Sequence, residues 1–263
     1  MISKEQIDFF HTFGYLKLAG LFRPELDTIT AEFESVFPMF GKSEGRRFIV
    51  PFIDQNDYLA GLLDDPRVDS ICTALLGDDF NYMGSDGNFY VGDTQWHPDG
   101  NTDKRLHIKL AFYLDKLDGS NGALRVIPGS HRLSDTFTQE LWAKVRTSEE
   151  AWGIAGSEVP AQVIDVEPGD LVLFNHNTWH SSWNGGTKRR MFTLNLSERY
   201  KEEDLEELAS YTLGHTHYRR PHYYGPAMLR GGAAGRMKHL EQVISVEGDF
   251  YERSRHLPEL VLV

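Results

Sequence analysis

The 263-residue chain holds one cysteine, Cys72, so no disulfide can form within it. That cysteine sits in the apolar run VDSICTALLG, where a buried, inert thiol is expected. A reducing, cytoplasmic setting fits one unpaired thiol. Positive charge is scarce: 27 Lys and Arg stand against 39 Asp and Glu, a formal net charge of -12. A general nucleic-acid surface needs the opposite balance, so no nucleic-acid partner is expected. No apolar run approaches the ~20 residues of a bilayer-spanning helix, so no membrane partner is expected either. The opening MISKEQIDFF has no basic stretch followed by an apolar one, and no secretory leader is expected there. Internal repeats and low-complexity tracts are also missing.

What remains is a globular composition, 40% hydrophobic and 12% aromatic, sufficient for a sizeable core. The length suits one domain, expected to run over 1–263 with three parts. Residues 1–80 read as a mainly helical layer. Ser3 is placed to cap a first helix, with Ile7, Phe10 and Phe13 as its apolar side and Gly14 as its stop. RPELDTITAEFESVF and DPRVDSICTALLG read as further helices, the last closed by Gly77. Residues 81–200 read as β-rich. NFYVG, RLHIKLAFYL, GALRVIPGSH, AQVIDVEPGDLVLFNH and RRMFTLNLSERY are short runs separated by turn residues, among them Pro128-Gly129 and Pro168-Gly169. SDTFTQELWAKVRTSEEAWG interrupts them with helical character. Residues 201–263 read as a cap or lid that starts with the helix KEEDLEELAS. The expected fold is mainly β with flanking helices, a double-sheet jelly roll.

Chemistry concentrates in QWHPDG. Residues i and i+2 of a strand share a face, so His97 and Asp99 can aim two ligands at one point. Pro98 between them suits a ragged strand end. A third ligand has to come from elsewhere, and His180, ~80 residues on at the end of LVLFNHNTWH, is the best placed. Two histidines and one carboxylate suit non-haem Fe(II), with positions left open for a bidentate co-substrate and O2. Zinc accepts the same set, which a hydrolase would use. Surface turn residues are the plain alternative. Arg189 and Arg190 open the next β run, and a guanidinium is the natural grip for the far carboxylate of 2-oxoglutarate. Strand alternation lets only one of the two point inward.

WHPDG, NGALRVIPGSH, PGDLVLFNHNTWHSSWNGG and RRMFTLNL, in that order, resemble the phytanoyl-CoA dioxygenase family of Fe(II)/2-oxoglutarate oxygenases. SKEQIDFFHTFGYLKLAGLF resembles that family's first helix and strand, and the likeness covers roughly residues 1–200. It implies a double-stranded β-helix (cupin-like), iron held by His97, Asp99 and His180, and 2-oxoglutarate held by an arginine. The family pattern favours Arg189 over Arg190, although Met191 stands where a small residue is usual. Halogenating relatives carry a small residue in place of the carboxylate, so Asp99 implies hydroxylation or another oxidative outcome instead. No family motif is visible after Tyr200.

Other residues carry weaker expectations. Lys109 and His107 alternate inward together, with Lys109 a further candidate for 2-oxoglutarate and His107 for substrate. Asn88, Tyr90, Arg125 and His176 are candidate substrate contacts, each weighed against a purely structural role. Trp96 and Trp179 each precede a proposed ligand and are expected in the packing between the sheets, and His131 is expected to shape its turn. The tail residues His215, His217, Arg219, Arg220 and His222 form the most basic stretch, read either as a lid that lends cations to an anionic substrate or as a surface loop. The whole reading is an Fe(II)/2-oxoglutarate-dependent dioxygenase acting with O2 on a small molecule. Its rival is a jelly-roll binding protein without catalysis. Substrate identity and oligomeric state are not encoded in any motif read here.

Overall fold

A computed structural model of the chain describes residues 2–40, 47–90, 92–186, 189–214, 220–230 and 234–257, without the side chains at 39, 40, 47, 90 and 234. Helix α1 (Lys4–Phe13) opens with a full capping box: the Ser3 hydroxyl accepts from the Gln6 backbone, and the Gln6 side chain accepts from the Ser3 backbone. Gly14 ends it in the left-handed conformation, and strand β1 (Tyr15–Leu18) follows at once. Phe10 is buried, but Phe13 is not: it lies 40% exposed and stacks on the equally superficial Phe9. Phe13 lies in the last helical turn, where its ring meets Phe9 one turn back instead of the core. Helix α2 (Leu26–Val36), strand β2 (Arg47–Ile49), helix α3 (Asp57–Ala60) and helix α4 (Pro66–Leu76) complete the front layer. Asp65 caps α4, Pro66 occupies its first turn and Gly77 closes it, as the sequence signals require.

The β core contains β3 (Asn81–Tyr90), β4 (Thr94–His97), β5 (His107–Tyr113), β6 (Leu124–Val126), β7 (Gln162–Ile164), β8 (Leu171–Asn175), β9 (His180–Ser182) and β10 (Arg189–Ser197). β3 starts seven residues before the NFYVG run that marks it in the sequence, because its first half, NYMGSDG, carries glycines and short polar residues that read as a turn. Between β6 and β7 the insertion forms helices α5 (Thr136–Lys144) and α6 (Ser148–Trp152). Beyond the core lie α7 (Leu205–Gly214), α8 (Pro226–Leu229), α9 (Ala234–Met237), α10 (Glu241–Glu247) and α11 (Phe250–Ser254).

Two antiparallel sheets face each other. The larger has the order β1-β8-β5-β10-β3-β2, and the smaller β4-β9-β6-β7. The fold is the expected jelly roll. Alternation divides every central strand between two environments. On β5, β8 and β10, Ile108, Leu110, Phe112, Leu171, Leu173, Phe192 and Leu194 point outward and pack under the front helices. Ala111, Tyr113, Val172 and Phe174 point inward, toward Leu124, Val126 and Ile164 of the small sheet. Trp96 and Trp179 are buried but lie elsewhere than the sequence suggests. With Trp183 and Ile127 they pack against Leu141 and Val145 of the insertion, on the outer side of the small sheet. The inner side at those positions is occupied by the histidines next to them. Among the described residues, no helix is long and apolar enough to cross a membrane.

Phe33 of α2 is fully buried and touches four other phenylalanine rings, including Phe89 of β3 and Phe192 of β10. It ties the helical layer to the large sheet. Phe33→Ala is expected to cost ~3–5 kcal/mol of unfolding free energy, read from chemical denaturation, and Phe33→Leu a smaller part of that.

Candidate metal centre

β4 and β9 are neighbours, and their register sets His97 directly opposite His180. The two imidazoles stand 4.3 Å apart between centroids. Past His97 the chain leaves the sheet. The Asp99 and Gly100 amides both donate to the His176 carbonyl, at 2.8 and 2.9 Å, and this fold-back carries the Asp99 carboxylate under the two rings. Gly100 is required by space: a Cβ there would fall 2.8 Å from the Asn177 side-chain oxygen. The donor atoms of His97, Asp99 and His180 all lie within 4.8 Å of one another. His97 Nε2 is 3.9 Å from Asp99 Oδ1, and His180 Nε2 is 3.7 Å from Asp99 Oδ2. These separations are too long for hydrogen bonds and short enough for one ion to span.

Each ring is held in the orientation a metal needs. His97 Nδ1 lies 2.8 Å from the Gln95 carbonyl, and His180 Nδ1 lies 2.9 Å from the Thr178 carbonyl. A carbonyl only accepts, so each Nδ1 carries the proton and each Nε2 keeps its lone pair for a cation. The acid is prepared as well. Burial works against ionisation of Asp99, but the Lys109 ammonium at 2.8 Å and the facing imidazoles of His180, His176 and His97 outweigh it, holding the carboxyl far below the usual carboxylate range. Burial pushes His180 down to about 4, against the pull of Asp99, so it is neutral at physiological pH. Two imidazoles and a carboxylate fit a divalent transition metal.

The three residues line a cavity of about 300 Å³ between the sheets. Arg189 lines it too, and Arg190 does not. Arg189 is buried, and its guanidinium donates to Gly122 O and Ser182 Oγ. Arg190 lies on the opposite face of β10, between Asp115 and Glu34, bonding Glu34 at 2.7 Å. Lys109 faces the cavity but is engaged with Asp99.

A model of the phytanoyl-CoA dioxygenase family matches residues 10–192. The chain belongs to the phytanoyl-CoA dioxygenase family. No curated protein matches it by sequence. Solved structures with the same fold include the non-haem α-ketoglutarate-dependent carbocyclase SnoK of nogalamycin biosynthesis, 19% identical with a TM-score of 0.61, covering 75% of this chain and 84% of the other. HygX from Streptomyces hygroscopicus, with nickel and 2-oxoglutarate bound, is 17% identical at a TM-score of 0.62, covering 76% and 88%. EctD from S. alaskensis, with 2-oxoglutarate and 5-hydroxyectoine, is 23% identical at 0.58, covering 75% and 76%.

Several other residues singled out in the sequence fall outside the cavity of this dioxygenase-family chain. Arg125 points to the far side of the small sheet and donates to the carbonyls of Ser157 and Gly119, at 2.5 and 3.2 Å. It meets backbone oxygens and no acid, because an outward position on β6 faces the insertion. His107 points inward but is closed off by Tyr200, whose hydroxyl is 3.1 Å from its Nε2, and by the rings of His176 and Tyr211. Asn88 is buried behind Asp86, to which it donates at 2.8 Å. His176 lines the cavity. His131 packs under α1, its Nε2 3.0 Å from the His11 carbonyl. The Tyr90 side chain and His215, His217 and Arg219 lie outside the described residues. His222 is exposed and paired with Glu247, whereas Arg220 lines the cavity. Thr193 and Asn195 also line it, and the alternation that turns Arg189 inward on β10 would have found both. Asp54 lines it from the front layer and carries no sequence signal.

His180 titrates lower in the folded protein than its unfolded value of 6.5. Between about 4 and 6.5 the unfolded chain therefore binds a proton that the folded chain does not. Metal-free stability is expected to fall as the pH drops through that window, by up to ~1.4 kcal/mol per pH unit. Asp99, depressed far below its unfolded value, adds to the loss at lower pH. Denaturant unfolding of metal-free wild type against His180→Gln checks this, the variant showing the shallower acid slope.

Proposed function

We propose that His97, Asp99 and His180 hold Fe(II) and that Arg189 holds the distal carboxylate of 2-oxoglutarate. The protein then oxidises a C–H bond of a small molecule with O2, and hydroxylation is the outcome. One observation carries this reading: two imidazole Nε2 atoms and an ionised carboxylate converge in a cavity between the sheets whose wall presents a buried arginine. Iron with 2-oxoglutarate supplies the oxidising chemistry, the co-substrate leaving as succinate and CO2. The protein's part is placement. The facing histidines of β4 and β9 fix the ion on the small sheet. Arg189, on β10, grips the co-substrate from the large sheet through parallel charge-assisted hydrogen bonds.

Asp99 favours hydroxylation over halogenation, because its carboxylate fills the coordination position a halide would need. The Lys109 ammonium beside it keeps the carboxylate ionised before metal arrives and orients it afterwards. The same fold carries a carbocyclase, so fold alone does not choose among oxidative outcomes. Hydroxylation rests on the intact carboxylate.

Asp99→Ala is expected to abolish succinate formation and metal binding while far-UV circular dichroism stays native. Normal turnover by that variant would sink the ligand assignment. Arg189→Gln should raise KM for 2-oxoglutarate ~10- to 100-fold, the scale of a lost charged hydrogen-bonding partner, and Arg190→Gln should leave it unchanged. A protein that binds Fe(II) and 2-oxoglutarate anaerobically, with a visible charge-transfer band, yet releases no succinate with any small molecule would be a binding protein instead.

A further inference from the structure

A third cation looks into the same cavity and has no task in the reading above. Arg220 stands at the head of the stretch 220–225, which follows the cap helix α7 and contributes to the cavity wall. Its Nε and Nη1 are buried, and no described residue accepts a hydrogen bond from either. The other charged residues that line the cavity are engaged. Lys109 faces Asp99, and Arg189 donates to Ser182 and Gly122. Asp86 accepts from Thr193 at 2.6 Å and from Asn88 at 2.8 Å.

The groups that act electrostatically on Arg220 are Asp54, Glu247, Tyr82 and Tyr223. Each has its polar atoms occupied elsewhere. Asp54 accepts from the Tyr82 hydroxyl and the Gly225 amide, both at 2.8 Å. Glu247 accepts from His222 at 2.7 Å and from the Tyr223 amide at 3.2 Å. The Tyr223 hydroxyl donates to the Met83 carbonyl. The guanidinium itself rests against the rings of Tyr223 and Phe250, 5.3 and 5.9 Å from their centroids. Its seat is rigid, because Tyr223 and Tyr224 are hydrogen-bonded to the backbone of β3 and Gly225 to Asp54. Burial lowers its affinity for its proton, and outweighs the opposing pull of the nearby Tyr223, Asp54, Tyr82 and Glu247. A buried guanidinium with open donors destabilises the empty protein unless a ligand completes it.

We infer that Arg220 anchors a carboxylate or phosphate of the molecule that is oxidised, so that the substrate is a small organic acid. The inference rests on the oxygenase reading of the cavity, in which Arg189 is already taken by 2-oxoglutarate. The anion would complete the open guanidinium donors and fix the distance from the acid group to the reacting carbon.

The test uses the full chain, loaded anaerobically with Fe(II) and saturating 2-oxoglutarate. The charge-transfer band of that complex in wild type and in Arg220→Met checks the oxygenase reading on its own; a band missing from wild type sinks that reading. Acetate and inorganic phosphate are then titrated against both proteins and followed by thermal shift. At least one anion is expected to stabilise wild type, with Arg220→Met binding it roughly 10- to 100-fold more weakly and Arg220→Lys falling between. Preference for acetate assigns a carboxylate, and preference for phosphate assigns a phosphate. In air, a panel of small acids should stimulate succinate release more than their methyl esters do. Equal anion response in wild type and Arg220→Met, no response in wild type, or equal stimulation by acid and ester would each overturn the inference. Should Arg220→Met fail to fold, the same comparison is made with Arg220→Lys, where an unchanged anion response overturns it.

Discussion

The cross-strand register of β4 and β9 is the constraint on which the site depends. It sets His97 against His180, and alternation then dictates everything beside them. The histidines look inward, so Trp96 and Trp179 must look outward. Two indoles on the outer face of a small sheet would be exposed to water, and the α5–α6 insertion covers them. A shift of one residue in that register would bury the tryptophans between the sheets and turn the imidazoles to the outside. The insertion is therefore part of what holds the two facing histidines in place, although it contributes none of the converging side chains.

The large sheet repeats this logic on β10. Its outward residues, Phe192 and Leu194, belong to the core beneath the front helices, and its inward residues, Arg189, Thr193 and Asn195, belong to the cavity. The same alternation separates the two adjacent arginines. One is buried where a diacid can reach it, and the other is neutralised by Asp115 and Glu34 at the sheet's outer face. The oxidative site lies between two faces whose spacing is set by ordinary hydrophobic packing.

Most of this was legible in the sequence. Capping at Ser3, the turn glycines, the order of the β runs and the convergence of His97, Asp99 and His180 are local or periodic signals, and they appear in the fold as read. What misled was the direction taken by side chains whose neighbours come from remote segments. Arg125 lies in a strand, but whether it meets an acid or a carbonyl depends on the insertion. His107 does point inward, yet Tyr200 closes it off. Asp54 reaches the cavity only because the front layer folds across β3. The tail's basic character was visible, but not that Arg220 would enter the cavity.

The stretch 220–225 is fastened to β3 and to Asp54, whereas His97 and His180 are set by the small sheet. On the proposals made above, reactivity and recognition would be carried by separately anchored parts of the polypeptide. If so, substitutions among these tail positions would retune which compound is accepted while leaving the converging histidines and aspartate intact. Such modularity makes a scaffold easy to repurpose over evolutionary time.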